Sequence, residues 1–149
     1  MFSNRTSRST IDQLKSISLF SGCSDKELER IDRLTYPKEM AAGTVLCREG
    51  CVGRQTFVVV SGQAQVCVSG VEVAVLGPGS FVGEMSVLDG NFRVATVTAL
   101  TPMTVLVLSA QELHGLVLEV PPVGRRMLAA MAGRLRPADR ALATRSSTG

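Results

Sequence analysis

From Thr44 to Ser109 the chain consists of short β-branched runs cut by glycine: Val45-Leu46, Phe57 to Val60, Ala64 to Val68, Val71 to Leu76, Val94 to Leu100 and Met103 to Leu108. Runs of this length, rich in valine and bounded by turn residues, read as strands. Their spacing predicts a barrel or jelly roll rather than a parallel sheet with helices between its strands. Pro78-Gly79, flanked by Gly77, marks a turn within this region.

Helical patterns flank the strands. Residues 1–10 are polar and read as a mobile tail before a helical start near Ile11. After the last strand, Ser109 and Glu112 have the spacing of a capping box, which predicts a short helix through Leu118, ending before Pro121-Pro122. A longer helix starts with those prolines. In it Val123, Met127, Met131 and Leu135 recur every four residues, joined by Leu128 and Ala132. That stripe makes one face apolar, able to pack on the barrel, on a ligand or on a second copy, and Pro137 stops the helix. The expected division is a helical lead-in over 11–35, a barrel over 36–109, C-terminal helices over 110–137 and a basic tail over 138–149.

With 149 residues, 45% hydrophobic and 19% charged, the chain suffices for one domain with its own core. No apolar run approaches the roughly 20 residues of a membrane span, and Met1-Phe2-Ser3-Asn4-Arg5 lacks the apolar stretch of a signal peptide, so a cytoplasmic location is expected. Cys23, Cys47, Cys51 and Cys67 are expected as buried or half-buried thiols. Cys47 and Cys51 are separated by three residues and have no matching second pair, so no metal is expected. Metal-dependent enzymes on similar barrels need several histidines, whereas this chain has only His114, outside the barrel region. A lone histidine also excludes most catalytic triads, so the chain is not expected to be an enzyme. Basic charge gathers at one end: residues 120–149 hold Arg125, Arg126, Arg134, Arg136, Arg140 and Arg145 against Asp139. Such an end fits nucleic acid, an acidic partner or a solvated helix face, the last being commonest.

The segment richest in chemistry runs from Phe81-Val82-Gly83-Glu84-Met85-Ser86 through Arg93-Val94-Ala95-Thr96-Val97. Gly83 leaves the backbone bare where a ligand approaches closely, and Glu84 to Leu88 can form one helical turn with free N–H groups facing an anion. Glu84 offers an acceptor for a sugar hydroxyl. Arg93 offers a planar fork of donors matched to a phosphate. Taken alone, Glu84 and Arg93 fit equally well an exposed ion pair worth about 0–1 kcal/mol.

As a whole string, Gly-Glu-Met-Ser-Val-Leu followed by Arg-Val-Ala-Thr-Val closely resembles the phosphate-binding cassette of cyclic-nucleotide-binding domains, the sensor type of catabolite activators and protein kinase A regulatory subunits. The resemblance extends from about Leu19-Phe20-Ser21-Gly22-Cys23-Ser24 to about Leu135. It includes Leu28 and Ile31 at helical spacing, Gly43-Thr44-Val45-Leu46 with Arg48-Glu49-Gly50, and Phe57-Val58-Val59-Val60-Ser61-Gly62. It implies a mainly β fold, an eight-stranded jelly-roll barrel (double-stranded β-helix), with an N-terminal helical segment and C-terminal lid helices. It further implies that Glu84 binds the ribose 2′-hydroxyl, that Arg93 binds the cyclic phosphate, and that main-chain N–H groups around Gly83, Ser86 and Ala95 complete the site, with Met85 as apolar wall.

Val94 stands where a Thr or Ser hydroxyl helps to hold guanine, so the resemblance favours cyclic AMP over cyclic GMP, although Thr96 lies nearby. Phe92 departs from a frequent proline, and Arg134 and Arg136 are candidates to cap the base. The ligand is the cyclic nucleotide and no further cofactor is implied. The resemblance also implies a last helix that serves as lid and often as dimer seam, passing the signal to a partner protein or a fused effector. Catabolite-activator-type factors continue into a helix-turn-helix module. About a dozen residues follow Pro137 here, so no sequence-specific DNA binding is expected of this chain alone. The alternative is a degenerate jelly-roll interaction module that no longer binds nucleotide, although such modules usually lose the glutamate or the arginine, and both are present.

Overall fold

Strand β3 (Gln55–Ser61) buries Thr56, Phe57, Val58 and Val59 in succession, a pattern that requires cover on both faces of the sheet it belongs to. The computed structural model describes residues 8–83 and 93–130 and shows what supplies that cover. Phe57 and Val59 point into the barrel with Met40, Val82, Val97, Val105 and Val107. Val58 points outward, to a second core with Phe20, Leu28, Ile31, Leu113 and Val123 from the flanking helices. Strand β8 (Met103–Ser109) behaves alike: Val105 and Val107 face inward, while Leu106 and Leu108 face the helices.

Among the described residues there are eight strands in two antiparallel four-stranded sheets, the jelly-roll arrangement expected from the sequence. One sheet has the order β1-β8-β3-β6 and the other β2-β7-β4-β5. β1 (Tyr36–Met40) and β6 (Phe81–Val82) carry too few apolar residues to be seen as runs in the sequence. Among the described residues β1 is an edge strand paired only with β8, a position that tolerates Pro37. β6 pairs with β3 through Phe57↔Val82 and Val58↔Phe81.

In the second sheet, β2 (Val45–Cys47) and β4 (Ala64–Val68) flank β7 (Thr96–Ala99). The expected strand from Val94 therefore starts two residues late, because Arg93 is bonded to the loop after β2 and Val94-Ala95 form a bend. β5 (Val71–Leu76) is the outer edge, with Val71, Val73 and Val75 exposed. The β4–β5 turn is Ser69-Gly70, both at positive φ as a two-residue hairpin of this kind requires.

Helix α1 (Arg8–Lys15) takes in Arg8, Ser9 and Thr10, which the sequence suggested belong to a tail. The reason is charge: Arg8 pairs with Asp12 and, at 2.9 Å, with Asp25. Lys15 and then Arg8 hold the Asp25 carboxyl below its usual range. A 3-10 turn over Ser18–Phe20 leads to α2 (Asp25–Leu34), capped reciprocally by Ser24 and Glu27. The expected Ser109–Glu112 box is also formed, and it starts α3 (Ala110–Glu119) directly after β8.

A further helix, α4, is described over 121–130 and begins with the two prolines. Val123 and Met127 are buried against the helical core, but Leu128 is 62% exposed. Leu128 is thus not part of the packed stripe: it lies one residue, about 100°, around the helix from Met127. Met131, Ala132, Leu135, Pro137 and residues 138–149 lie outside the described residues, as do residues 1–7 and 84–92.

This division of the stripe predicts unequal costs. Met127→Ala should destabilise by about 2–5 kcal/mol, whereas Leu128→Ala should stay within about 0.5 kcal/mol of wild type. Denaturant midpoints at unchanged slope provide the measurement, and equal losses would contradict the packing described.

Candidate functional site

The site is built around Arg93, which is only 8% exposed. Its backbone is clamped into the β2–β3 loop: the Arg93 N–H donates to the Cys51 carbonyl at 2.8 Å, and the Gly50 N–H donates to the Arg93 carbonyl at 2.9 Å. These two bonds join positions about forty residues apart. Thr96 strengthens the same connection, its Oγ1 accepting the Glu49 N–H at 3.0 Å. The Glu49 carboxylate in turn accepts the Ser69 N–H at 2.9 Å, tying the β4–β5 turn to this loop.

From that clamp the Arg93 side chain runs inward between two glycines. A Cβ on Gly53 would overlap Nε and Cζ of the guanidinium, and a Cβ on Gly83 would overlap Nη1. Gly83 also has φ +86°, so glycine is required there by backbone conformation and by space together. The guanidinium fills the two gaps and donates from Nη2 to the Gln55 carbonyl at 2.8 Å. Gln55 opens β3 and Gly83 follows β6, so the paired ends of these strands form the cradle.

Nη1 is buried and has no hydrogen-bond partner among the described residues. No carboxylate among them pairs with Arg93. A buried cation with one neutral acceptor and an orphaned N–H is electrostatically incomplete, because desolvation is only partly offset. An anion placed against Nη1 would complete it with a charge-assisted bond. The adjoining pocket, about 490 Å³, is lined by Leu46, Arg48, Cys51, Gly53, Arg54 and Arg93 among others, so further positive charge surrounds the opening.

Of the residues singled out from the sequence, Gly83 and Arg93 are brought into contact. Val94, 70% exposed, and half-buried Ala95 follow on the bend and do not line this pocket. Glu84, Met85 and Ser86 lie outside the described residues. The burial of Arg93 argues against an exposed surface ion pair. Gly53 and Gln55 were not singled out: a glycine in a loop signals backbone freedom, but nothing local shows which distant side chain it must admit.

The four cysteines are thiols rather than disulfides, Cys23 and Cys47 buried, Cys67 half-buried and Cys51, against the expectation of burial, exposed. Burial and then the Glu27 carboxylate push the Cys23 thiol up, against the opposing pull of Arg126. His114 is exposed on α3, away from the barrel interior. No group of three or more potential metal ligands occurs among the described residues, and no helix among them is long and apolar enough to cross a membrane.

Comparison with known proteins places this geometry in a family. Residues 37–119, more than half of the chain, match the model of the cyclic nucleotide-binding domain. The chain is 32% identical over 135 residues to the cyclic AMP receptor protein of Thermus thermophilus, covering 85% of this chain and 61% of that protein. It is 38% identical over 96 residues to a cyclic nucleotide-gated potassium channel of Rhizobium etli, covering 64% of this chain and 27% of the channel. The crystal structure of the Thermus thermophilus catabolite activator protein superposes with a TM-score of 0.74 at 30% identity, over 86% of this chain and 62% of that one. The chain thus spans about three fifths of the Thermus receptor and about a quarter of the channel. By the family match and by its two-sheet jelly roll with flanking helices, the chain belongs to the cyclic nucleotide-binding domain family.

Proposed function

We propose that this chain is a sensor that binds a cyclic nucleotide with its phosphate against Arg93, and that binding repositions helix α4 to signal to a partner protein or a fused effector. The observation that carries the reading is the buried Nη1 donor of Arg93, held between Gly53 and Gly83 with no partner among the described residues. A cyclic phosphate supplies the missing acceptor and the missing negative charge in one group. Glu84 is the proposed partner of the ribose hydroxyl, and Gly83, Met85, Ser86 and Ala95 the proposed surround.

Cyclic AMP is the proposed preference over cyclic GMP. Val94 offers no hydroxyl to guanine, and the Thr96 hydroxyl already accepts the Glu49 N–H. The names of the Thermus receptor and the Rhizobium channel support the ligand class.

For the helix movement, the relevant contact is a latch. Arg126 on α4 donates from Nη1 to the Leu19 carbonyl at 3.0 Å, joining the last described helix to the 3-10 turn near the start of the chain. The latched position belongs, in this proposal, to the ligand-free population, and the ligand favours another.

Calorimetric titration with both nucleotides tests the site. Cyclic AMP should bind more tightly than cyclic GMP. Arg93→Ala should weaken cyclic AMP by about 100-fold, the loss expected for charge-assisted bonds of about 1.5–3 kcal/mol each. Gly53→Ala should cause a comparable loss with the Arg93 side chain intact, since the methyl group displaces the guanidinium. Unchanged binding in both variants would place the phosphate elsewhere.

Removing the latch tests the movement. Arg126→Ala gives up a bond worth about 0.5–1.5 kcal/mol, so cyclic AMP should bind about three- to tenfold more tightly if the latch opposes the bound position. An unchanged constant would mean that α4 does not move on binding.

A further inference from the structure

We propose that Cys51 is a thiol-modification site that closes the Arg93 pocket by taking up a small, carboxylate-bearing thiol as a mixed disulfide; its effect on nucleotide rests on the function proposed above. Cys51 is the most exposed of the four cysteines, and it lines the same pocket as Arg93. The two are also joined directly through the Cys51 carbonyl and the Arg93 N–H. Three arginines, Arg48, Arg54 and Arg93, line that pocket, and Arg93 is a buried cation with a donor that has no partner among the described residues. A carboxylate carried on the Cys51 sulfur therefore enters surroundings that favour an anion. At about 490 Å³ the pocket is in the size range of small-ligand sites, so an adduct there competes for space as well as for charge.

The step is thiol–disulfide exchange with a low-molecular-weight disulfide as oxidant. Cys51 loses its proton to solvent, and its sulfur attacks one sulfur of the oxidant. A new S–S bond forms as the old one breaks. One half of the oxidant stays on Cys51, while the other leaves as a thiolate and takes up a proton. Cys51 is oxidised and the leaving half is reduced; an excess of small thiol reverses the exchange.

The test exposes the full chain to glutathione disulfide and, separately, to the uncharged 2-hydroxyethyl disulfide, following each cysteine by peptide mass spectrometry. Cys51 should react first, and its preference for glutathione disulfide over the uncharged reagent should fall in Arg93→Ala. The Cys51 glutathione adduct should bind cyclic AMP at least about tenfold more weakly, with recovery on adding dithiothreitol, and bound cyclic AMP should slow the reaction. In Cys51→Ser the affinity should not respond to the oxidant. Faster reaction at Cys23, Cys47 or Cys67, or an adduct at Cys51 that leaves cyclic AMP binding unchanged, would overturn the inference. If the untreated chain binds no cyclic nucleotide, the proposed function fails instead. The modification site is then decided by reactivity alone: selective, Arg93-dependent reaction at Cys51 supports it, and equal reaction at all four thiols overturns it.

Discussion

Everything in this fold hangs on two neighbouring strands, β3 and β8, being buried on both faces. β3 and β8 send alternate residues to the barrel interior and to the helices, so the two hydrophobic cores share a backbone. Phe57 and Val58, adjacent in sequence, belong to different cores. A displacement of β3 is therefore felt inside the barrel and at the packing of α2, α3 and α4 alike, because close-packed interiors transmit strain rather than absorb it. Gln55, the first residue of that strand, accepts the bond from Arg93. The proposed anion site is thus wired at its floor to the strand that supports the helices.

Electrostatics gives the site its direction. The fold holds a guanidinium away from water with, among the described residues, one carbonyl as acceptor and no carboxylate as counterion. In a folded chain that costs free energy, and such costs persist where a ligand offsets them. The surrounding structure fixes the group twice over, by two backbone bonds at Gly50 and Cys51 and by two glycines at its flanks. Preorganised donors of this kind bind an anion without a large ordering cost at the moment of binding.

Much of this architecture is legible in the sequence, for physical reasons that differ by element. Strands whose residues are buried on both faces, such as β3 and β8, show as valine-rich runs, and the Ser109–Glu112 box marks the helix that follows. β1 and β6 are not legible as runs: Tyr-Pro-Lys-Glu-Met buries only its last residue, and Phe-Val is too short to show a period. The start of α1 escapes a local pattern because Arg8 is held by Asp25, seventeen residues on. At the site, Gly83 and Arg93 stand out through the cassette string. Gly53 and Gln55 do not, because their role is set by a side chain about forty residues away and by the pairing of β3 with β6. Leu128 shows the limit of periodicity: hydropathy placed it on the apolar stripe, and the helix turns it toward solvent.

The most direct test of the central claim is a crystal structure of the chain with cyclic AMP. The account predicts a phosphate oxygen within hydrogen-bond distance of Arg93 Nη1 while Nη2 keeps the Gln55 carbonyl, the guanidinium still lying between Gly53 and Gly83. A nucleotide whose phosphate contacts neither guanidinium nitrogen, or an Nη1 paired in the complex to a carboxylate of the protein instead of the phosphate, would contradict it.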